Sequence, residues 1–133
     1  MADGKVPHPP MTDTVPMRIK ELTKGSIRFV VKADERHINS MGGVHGGFIA
    51  TVLDTTTGCA IHTMLEAGVG YGTVDLSVKM LRPIPLGIDL LAEGRAIHVS
   101  KSIGVSEGTI KDSAGKIYAH GTCTCRIFRP QEP

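Results

Sequence analysis

Between Asn39 and Gly58 the chain reads N-S-M-G-G-V-H-G-G-F-I-A-T-V-L-D-T-T-T-G, and the rest of the sequence has to be fitted around this stretch. Gly42, Gly43, Gly46 and Gly47 free the backbone to turn sharply and let another group come close. From Phe48 onward apolar residues recur as Phe48/Ile49, Val52/Leu53, Cys59/Ala60 and Met64/Leu65, which is helical spacing. The pattern predicts a helix from about Gly46 to Glu66, stopped at Ala67-Gly68. A glycine turn feeding a helix leaves backbone N–H groups unpaired at the positive end of the helix dipole. Asp54 follows eight residues after Gly46, about 12 Å along the axis at the rise of an α-helix. The N–H groups and the carboxylate of one helix are therefore too far apart to act on the same atom.

Two readings of this helix compete. In the plainer one, His45-Gly46-Gly47 is a tight entry to a core helix and Asp54 is a solvated acid. In the other, the stripe through Val52 and Leu53 packs on a core, with Asp54 about 150° away from its centre. Gly47, Ala50/Thr51, Asp54 and Gly58 then form a second stripe of small residues plus one acid. A purely solvated face would carry Lys, Glu or Arg, so the second stripe is expected to be covered too. That makes Asp54 a partly buried acid and a candidate for chemistry.

A length of 133 residues suits one domain with a single core, spanning 1–133. The net charge of +2, without a basic cluster, gives no footprint for nucleic acid. Aromatic residues at 4%, with no Trp, leave no stacking platform for single strands. Residues 1–13 carry Pro7, Pro9 and Pro10 but no apolar core of a signal peptide, and read as a mobile leader. No apolar run reaches the length of a membrane span. Cys59, Cys123 and Cys125 make an odd count that fits reduced thiols and a cytoplasmic location. Cys123-Thr-Cys125 lacks a second ligand pair at metal-site spacing, so no metal is expected and both cysteines read as small buried hydrophobes.

The flanking sequence is strand-like. Val15 to Leu22 fits a short helix or a strand equally. Gly25 to Ala33 alternates through Ile27, Phe29 and Val31. Tyr71 to Leu81 alternates Thr73/Asp75/Ser77/Lys79 against Val74/Leu76/Val78/Met80. After a turn at Arg82–Gly87, Ile88 to Val99 gives a strand with Leu90, Ala92 and Ala96 inward. Ile103 to Lys111, a hairpin loop at Asp112–Gly115 and Lys116 to Phe128 complete four long strands in succession. The class is α+β: an antiparallel sheet with one helix on one face. The small-residue stripe then needs a further cover, for which a second copy about a two-fold axis is the nearest solution.

Taken together, Asn39, His45-Gly46-Gly47 and Asp54, followed by T-V-D-L-S-V-K-M-L-R-P-I-P-L-G, G-R-A-I-H-V-S-K-S and A-H-G-T-C-T-C-R-I-F, resemble the hotdog-fold thioesterases. The likeness is to the phenylacetate-pathway type of acyl-CoA thioesterase and covers roughly residues 25 to 129. It implies a sheet wrapped around one long central helix in a dimer, often a dimer of dimers, with the active site at the subunit interface. It also implies hydrolysis of an acyl-CoA thioester to free acid and CoA, without a cofactor. The Gly46 N–H would polarise the thioester carbonyl, with Gly47 beside it against the substrate. Asp54, from the partner subunit, would be base or nucleophile, which removes the 12 Å difficulty. Asn39 would orient the water or the carbonyl, and Thr73 would hold the water. His45 is either a base or a loop-locking hydrogen bonder, and its place ahead of the glycines favours the second. Arg82, Lys101 and Ser102, at strand ends, would meet the phosphates of CoA.

Two other activities fit the same fold. A hotdog hydratase or dehydratase pairs a His with an acid, and the residue after the glycine turn here is Phe48. A non-catalytic acyl-CoA-binding protein would need neither Asp54 nor Asn39.

Overall fold

The computed structural model describes residues 9–130. Six strands and one α-helix follow in the order β1 (Met17–Thr23), β2 (Ser26–Val31), α1 (Gly46–His62), β3 (Gly70–Met80), β4 (Leu90–Val99), β5 (Ile103–Lys111) and β6 (Ile117–Phe128). The strands form one antiparallel sheet in the order β1-β2-β4-β5-β6-β3, packed on α1. This is the α+β hotdog architecture, a sheet curled around a central helix.

The helix buries Phe48, Ile49, Val52, Leu53 and Ala60 in one cluster with Phe29, Val31, Leu90, Ala92, Ile110 and Ala119, and Ile61 in a second with Cys123 and Cys125. What lets it lie so close is a row of glycines in register across three strands, Gly94 opposite Gly108 and Gly108 opposite Gly121. A Cβ at Gly94 would stand 2.5 Å from the Thr56 carbonyl oxygen, and one at Gly121 would stand 3.3 Å from Leu53. Glycine inside a strand marks such a close approach. Thr56 and Thr57, both buried, satisfy their hydroxyls on the carbonyls of Val52 and Leu53, each at 2.6 Å. The buried Ser106 hydroxyl donates to the Thr57 carbonyl at 2.9 Å. No polar side chain under the helix is thereby left unpaired at this contact.

Several expectations change. The undecided segment Val15–Leu22 is a strand, β1, because the inward Met17 continues the core begun by Val15. The helix ends at His62, not Glu66. Met64 and Leu65 bond back three residues, to the carbonyls of Ile61 and His62, which tightens the last turn out of α-geometry. Thr63 fixes that end, its hydroxyl oxygen accepting from the Gly25 N–H at 2.7 Å. Arg82–Gly87 is a crossover, not a turn between neighbours: β3 pairs with β6, while β4 lies between β2 and β5. On its way the segment docks on Ala33, whose carbonyl accepts from the Gly87 N–H at 2.9 Å. In β4, Leu90 and Ala92 are buried as expected, whereas Ala96 is only half-buried. Of the expected mobile leader, residues 1–8 lie outside the described residues. Pro10–Asp13 forms a 3₁₀ turn, and the Asp13 carbonyl accepts from Arg36 Nη1 at 2.7 Å.

The regular alternation expected along β3 is broken. Thr73 pairs with Cys125 and Asp75 with Thr124, so Val74 is an extra residue, a β-bulge. Val74 is thrown outward, 65% exposed, while Tyr71, Thr73, Leu76 and Val78 all face the helix side.

Candidate active site

The loop before the helix is closed by its own side chains. Asn39 Oδ1 accepts from the N–H groups of Met41 (2.9 Å) and Gly43 (3.1 Å), and the Asn39 N–H donates to the Gly43 carbonyl at 2.8 Å. Gly42 takes a φ of +89°, which the turn requires. With its oxygen committed to the loop, Asn39 offers only its amide Nδ2–H groups outward.

Behind the loop, the buried His37 is a fastener. Its Nε2–H donates to the Thr14 carbonyl at 2.6 Å, and its Nδ1 accepts from the Asp34 N–H at 3.0 Å. The ring packs on Phe48 with centroids 4.5 Å apart. Sequence reasoning passed over His37, since a contact with a carbonyl 23 residues away leaves no local pattern.

His45 caps the helix. Its Nδ1 accepts from the Gly47 N–H at 2.7 Å, and its carbonyl from the Phe48 N–H at 3.0 Å. The N–H of Gly46, first residue of α1, has no protein acceptor among the described residues. The Met80 side chain lies on the Cβ side of Gly46, where a Cβ would come within 3.1 Å of its methyl.

Asp54 was expected to be partly buried, but in the single chain it is exposed. Among the described residues its carboxylate stays open to solvent beside the edge strand β3. Thr73 Oγ1 donates to Asp54 Oδ1 at 2.8 Å. The bulge at Val74 makes this contact, because strict alternation from Leu76 would have turned Thr73 to the outer face. The neighbouring groups are held protonated. Burial pushes the Cys59 thiol up, and burial together with Cys59 pushes up the Tyr71 phenol. Burial and the adjacent Cys123 push Cys125 up to about 12. These thiols and this phenol add no second anion beside Asp54. Cys123 and Cys125 are 1% and 0% exposed and sit in the core, as small buried hydrophobes do.

A cavity of about 360 Å³ opens beside Asp54 and Thr73, walled by Met17, Phe29, Cys59 and Tyr71 among others. A larger concavity, about 560 Å³, lies on the outer face of the sheet among Arg18, Arg28, Asp89 and Lys111 and does not include Asp54.

The remaining candidates are scattered within one chain. Arg82 stands just past β3, its N–H on the Tyr118 carbonyl. Lys101 and Ser102 form the β4–β5 turn, where their carbonyls accept from Arg129 Nε and the Ile127 N–H, each at 2.9 Å. Measured along β6 from Tyr118 to Ile127 the two groups are roughly 30 Å apart, too far to share one pyrophosphate in a single protomer. Asp54 and Thr73 are brought together. Asn39, His45, Gly46 and Gly47 form a second group around the helix start, about 12 Å away by helix rise.

Residues 41–119 match the family model described as the thioesterase superfamily. A Halobacterium salinarum protein named as an esterase is 30% identical, over 84% of this chain and 80% of its own. Acyl-coenzyme A thioesterase 13 of Homo sapiens is 28% identical, over 75% of this chain and 71% of its own. In structure, a Ralstonia eutropha protein described as a phenylacetic acid degradation-related thioesterase superposes with a TM-score of 0.87 at 27% identity, covering 95% of this chain and 96% of its own.

Proposed function

The chain belongs to the thioesterase superfamily and is a thioester hydrolase, and on that premise we propose that it hydrolyses an acyl-CoA to the free acid and CoA in a homodimer whose two subunits share each active site. The observation that carries the reading is the hydrogen bond between Thr73 and Asp54. It fixes one carboxylate oxygen and leaves the other, Oδ2, without a partner among the described residues.

The thioester carbonyl oxygen lies at the start of one helix and accepts from the Gly46 N–H, a donor with no competing acceptor among the described residues. As water attacks, charge develops on that oxygen, and a fixed donor there is worth about 10²–10³ in turnover. Asp54 of the second subunit takes the proton from the water, and Thr73 holds the carboxylate in place. Asn39 Nδ2–H, its orientation set by the two bonds to its oxygen, donates to the water or to the carbonyl. His45 serves as cap, keeping the Gly47 N–H engaged so that the substrate meets one donor. Arg82 and the Lys101–Ser102 turn, contributed by different subunits, bind the phosphates of CoA. The CoA substrate class rests on the likeness to acyl-coenzyme A thioesterase 13.

The dimer rests on two features. β3 is a sheet edge of 11 residues with Val74 and Met80 exposed, the kind of edge that seeks a partner. The gap between Gly46 and Asp54 closes only if they come from different chains. Pairing of two such dimers, a single domain over 1–133 and a cytoplasmic location complete the reading. Among the described residues, no helix is long and apolar enough to cross a membrane.

The test is thiol release from a panel of short, branched, dicarboxylic, aromatic and long-chain acyl-CoAs, for wild type and Asp54→Ala. We expect turnover in the wild type and a loss of about 10²–10⁴ in the variant. Equal turnover in a folded variant would contradict the role of Asp54.

A further inference from the structure

The cavity beside Asp54 has a direction. Its floor is the outer side of α1, where Asp54, Thr55, Cys59 and His62 follow one another. The eight helical steps from Asp54 to His62 give it a length of about 12 Å. The reacting pair, Asp54 and Thr73, stands at one end. Met17, Ile19 and Phe29 form one long wall, apolar throughout. At the far end Tyr71 and His62 face each other with ring centroids 5.1 Å apart, tilted at 44°. Tyr71 is wedged there by the helix itself, since a Cβ at Gly58 would come 3.0 Å from its ring. Pro9 and Thr12 add to the lining, and the segment after them is held by Arg36 on the Asp13 carbonyl and His37 on the Thr14 carbonyl.

A thioester has one apolar half and one polar half. CoA is charged and stays toward solvent, so an apolar groove that begins at the reacting carboxylate suits the acyl side. We propose that the acyl group lies in this groove, and that Tyr71, braced by Gly58 and His62, closes its far end and limits the acyl group to a compact one. The inference rests on acyl-CoA hydrolysis at Asp54 and adds the substrate's size. About 360 Å³, at about 30 Å³ per water-sized group, holds roughly a dozen non-hydrogen atoms. Medium-length, branched and aryl acyl groups fit. A sixteen-carbon chain does not fit without moving Tyr71.

The two ends of the proposal are separately testable. Binding of non-hydrolysable S-alkyl-CoA thioethers, butyl to hexadecyl, reads the groove without any chemistry. Hydrolysis of the matching acyl-CoAs, run in parallel, reads the reaction. In the wild type, affinity rises with chain length to about a dozen non-hydrogen atoms and then falls at least tenfold for hexadecyl. Tyr71→Ala shifts the hexadecyl-to-octyl affinity ratio at least tenfold toward the longer chain. Gly58→Ala pushes the ring into the groove and shifts the octyl-to-butyl ratio toward the shorter one. Should Tyr71→Ala fail to fold, Tyr71→Leu shifts the ratio in the same direction by less, and Gly58→Ala remains as an independent reading. Hydrolysis accompanied by a length profile that both folded variants leave unchanged overturns the groove. A length profile that depends on Tyr71 without hydrolysis keeps the groove and overturns the thioesterase reading.

Discussion

A histidine at the end of a glycine-rich loop can serve the helix that follows or the substrate that arrives there. At position 45 the ring nitrogen is committed to the Gly47 N–H at 2.7 Å, and the two roles make different predictions. Asn is among the best N-caps, so His45→Asn keeps the helix start, and turnover falls by less than about tenfold. His45→Ala removes the cap and costs about 1 kcal/mol of stability, seen as a lower denaturant midpoint. A general base at this position would instead lose about 10²–10⁴ in turnover in both variants. The comparison is read by kcat beside the unfolding midpoint. Thr73 carries the same lesson from the other side. The family resemblance implied a hydroxyl at the site here, but alternation alone would have set it on the face opposite Leu76. A single inserted residue, Val74, decides the matter, and the regular alternation of residue types from Thr73 to Met80 gives no sign of it.

At the level of elements, the close seat of α1 on the sheet depends on glycines that serve no turn. A methyl at Gly94 meets the Thr56 carbonyl oxygen at 2.5 Å, and a carbonyl on a packed helix has nowhere to go. Gly94→Ala therefore forces the helix outward and destabilises the fold by about 1–3 kcal/mol or more, measured by chemical denaturation. Gly115→Ala, at a φ of +87° in an open loop, meets nothing within 4 Å and tests backbone strain alone. The helix, the strands from β2 to β6 and the hairpin at Asp112–Gly115 were legible because periods of 3.6 and 2 survive in the sequence. Strand order was not, because the crossover through Pro83 and Pro85 looks like any short turn. The end of α1 was misjudged by four residues, since Met64 and Leu65 continue the apolar spacing after the hydrogen bonds have shortened. Of the site, Asp54 and the glycine turn could be read from pattern. His37, Cys59 and Tyr71 could not, because each acts through residues distant in sequence.

For the whole molecule, the outer face of the sheet carries a line of ion pairs, Glu21–Arg28–Glu93–Lys111, with Arg95–Glu107 beside it. Burial alone would raise the Glu93 carboxyl, but Lys111 and Arg28 together outweigh it and hold the group below its ordinary range. Arg95 does the same for Glu107, and Arg36 holds Asp34 far below the usual carboxylate range. A carboxylate lowered in the folded state stabilises it fully above the unfolded value of about 4.3, and the contribution is lost as pH falls through the folded value. The urea midpoint is therefore expected to stay level from neutral pH to about pH 5 and to drop below it. Glu93→Gln starts lower and converges with the wild type in acid, and parallel curves would contradict the coupling. The account as a whole turns on one shared site built from two chains. Gly46 is the first helical residue, where proline is well accommodated, and His45 before it has a ψ of 137°, which a following proline favours. Gly46→Pro thus removes the donor and keeps the helix, with the exposed end of Met80 moving aside for the ring, and Asp54→Asn removes the proposed base. The decisive measurement is acyl-CoA hydrolysis by each variant alone and by the two refolded together in equal amounts. The account predicts two nearly inactive proteins and a mixture with about a quarter of wild-type turnover, since half the dimers are mixed and each of these carries one intact site. A mixture no more active than its components would contradict it.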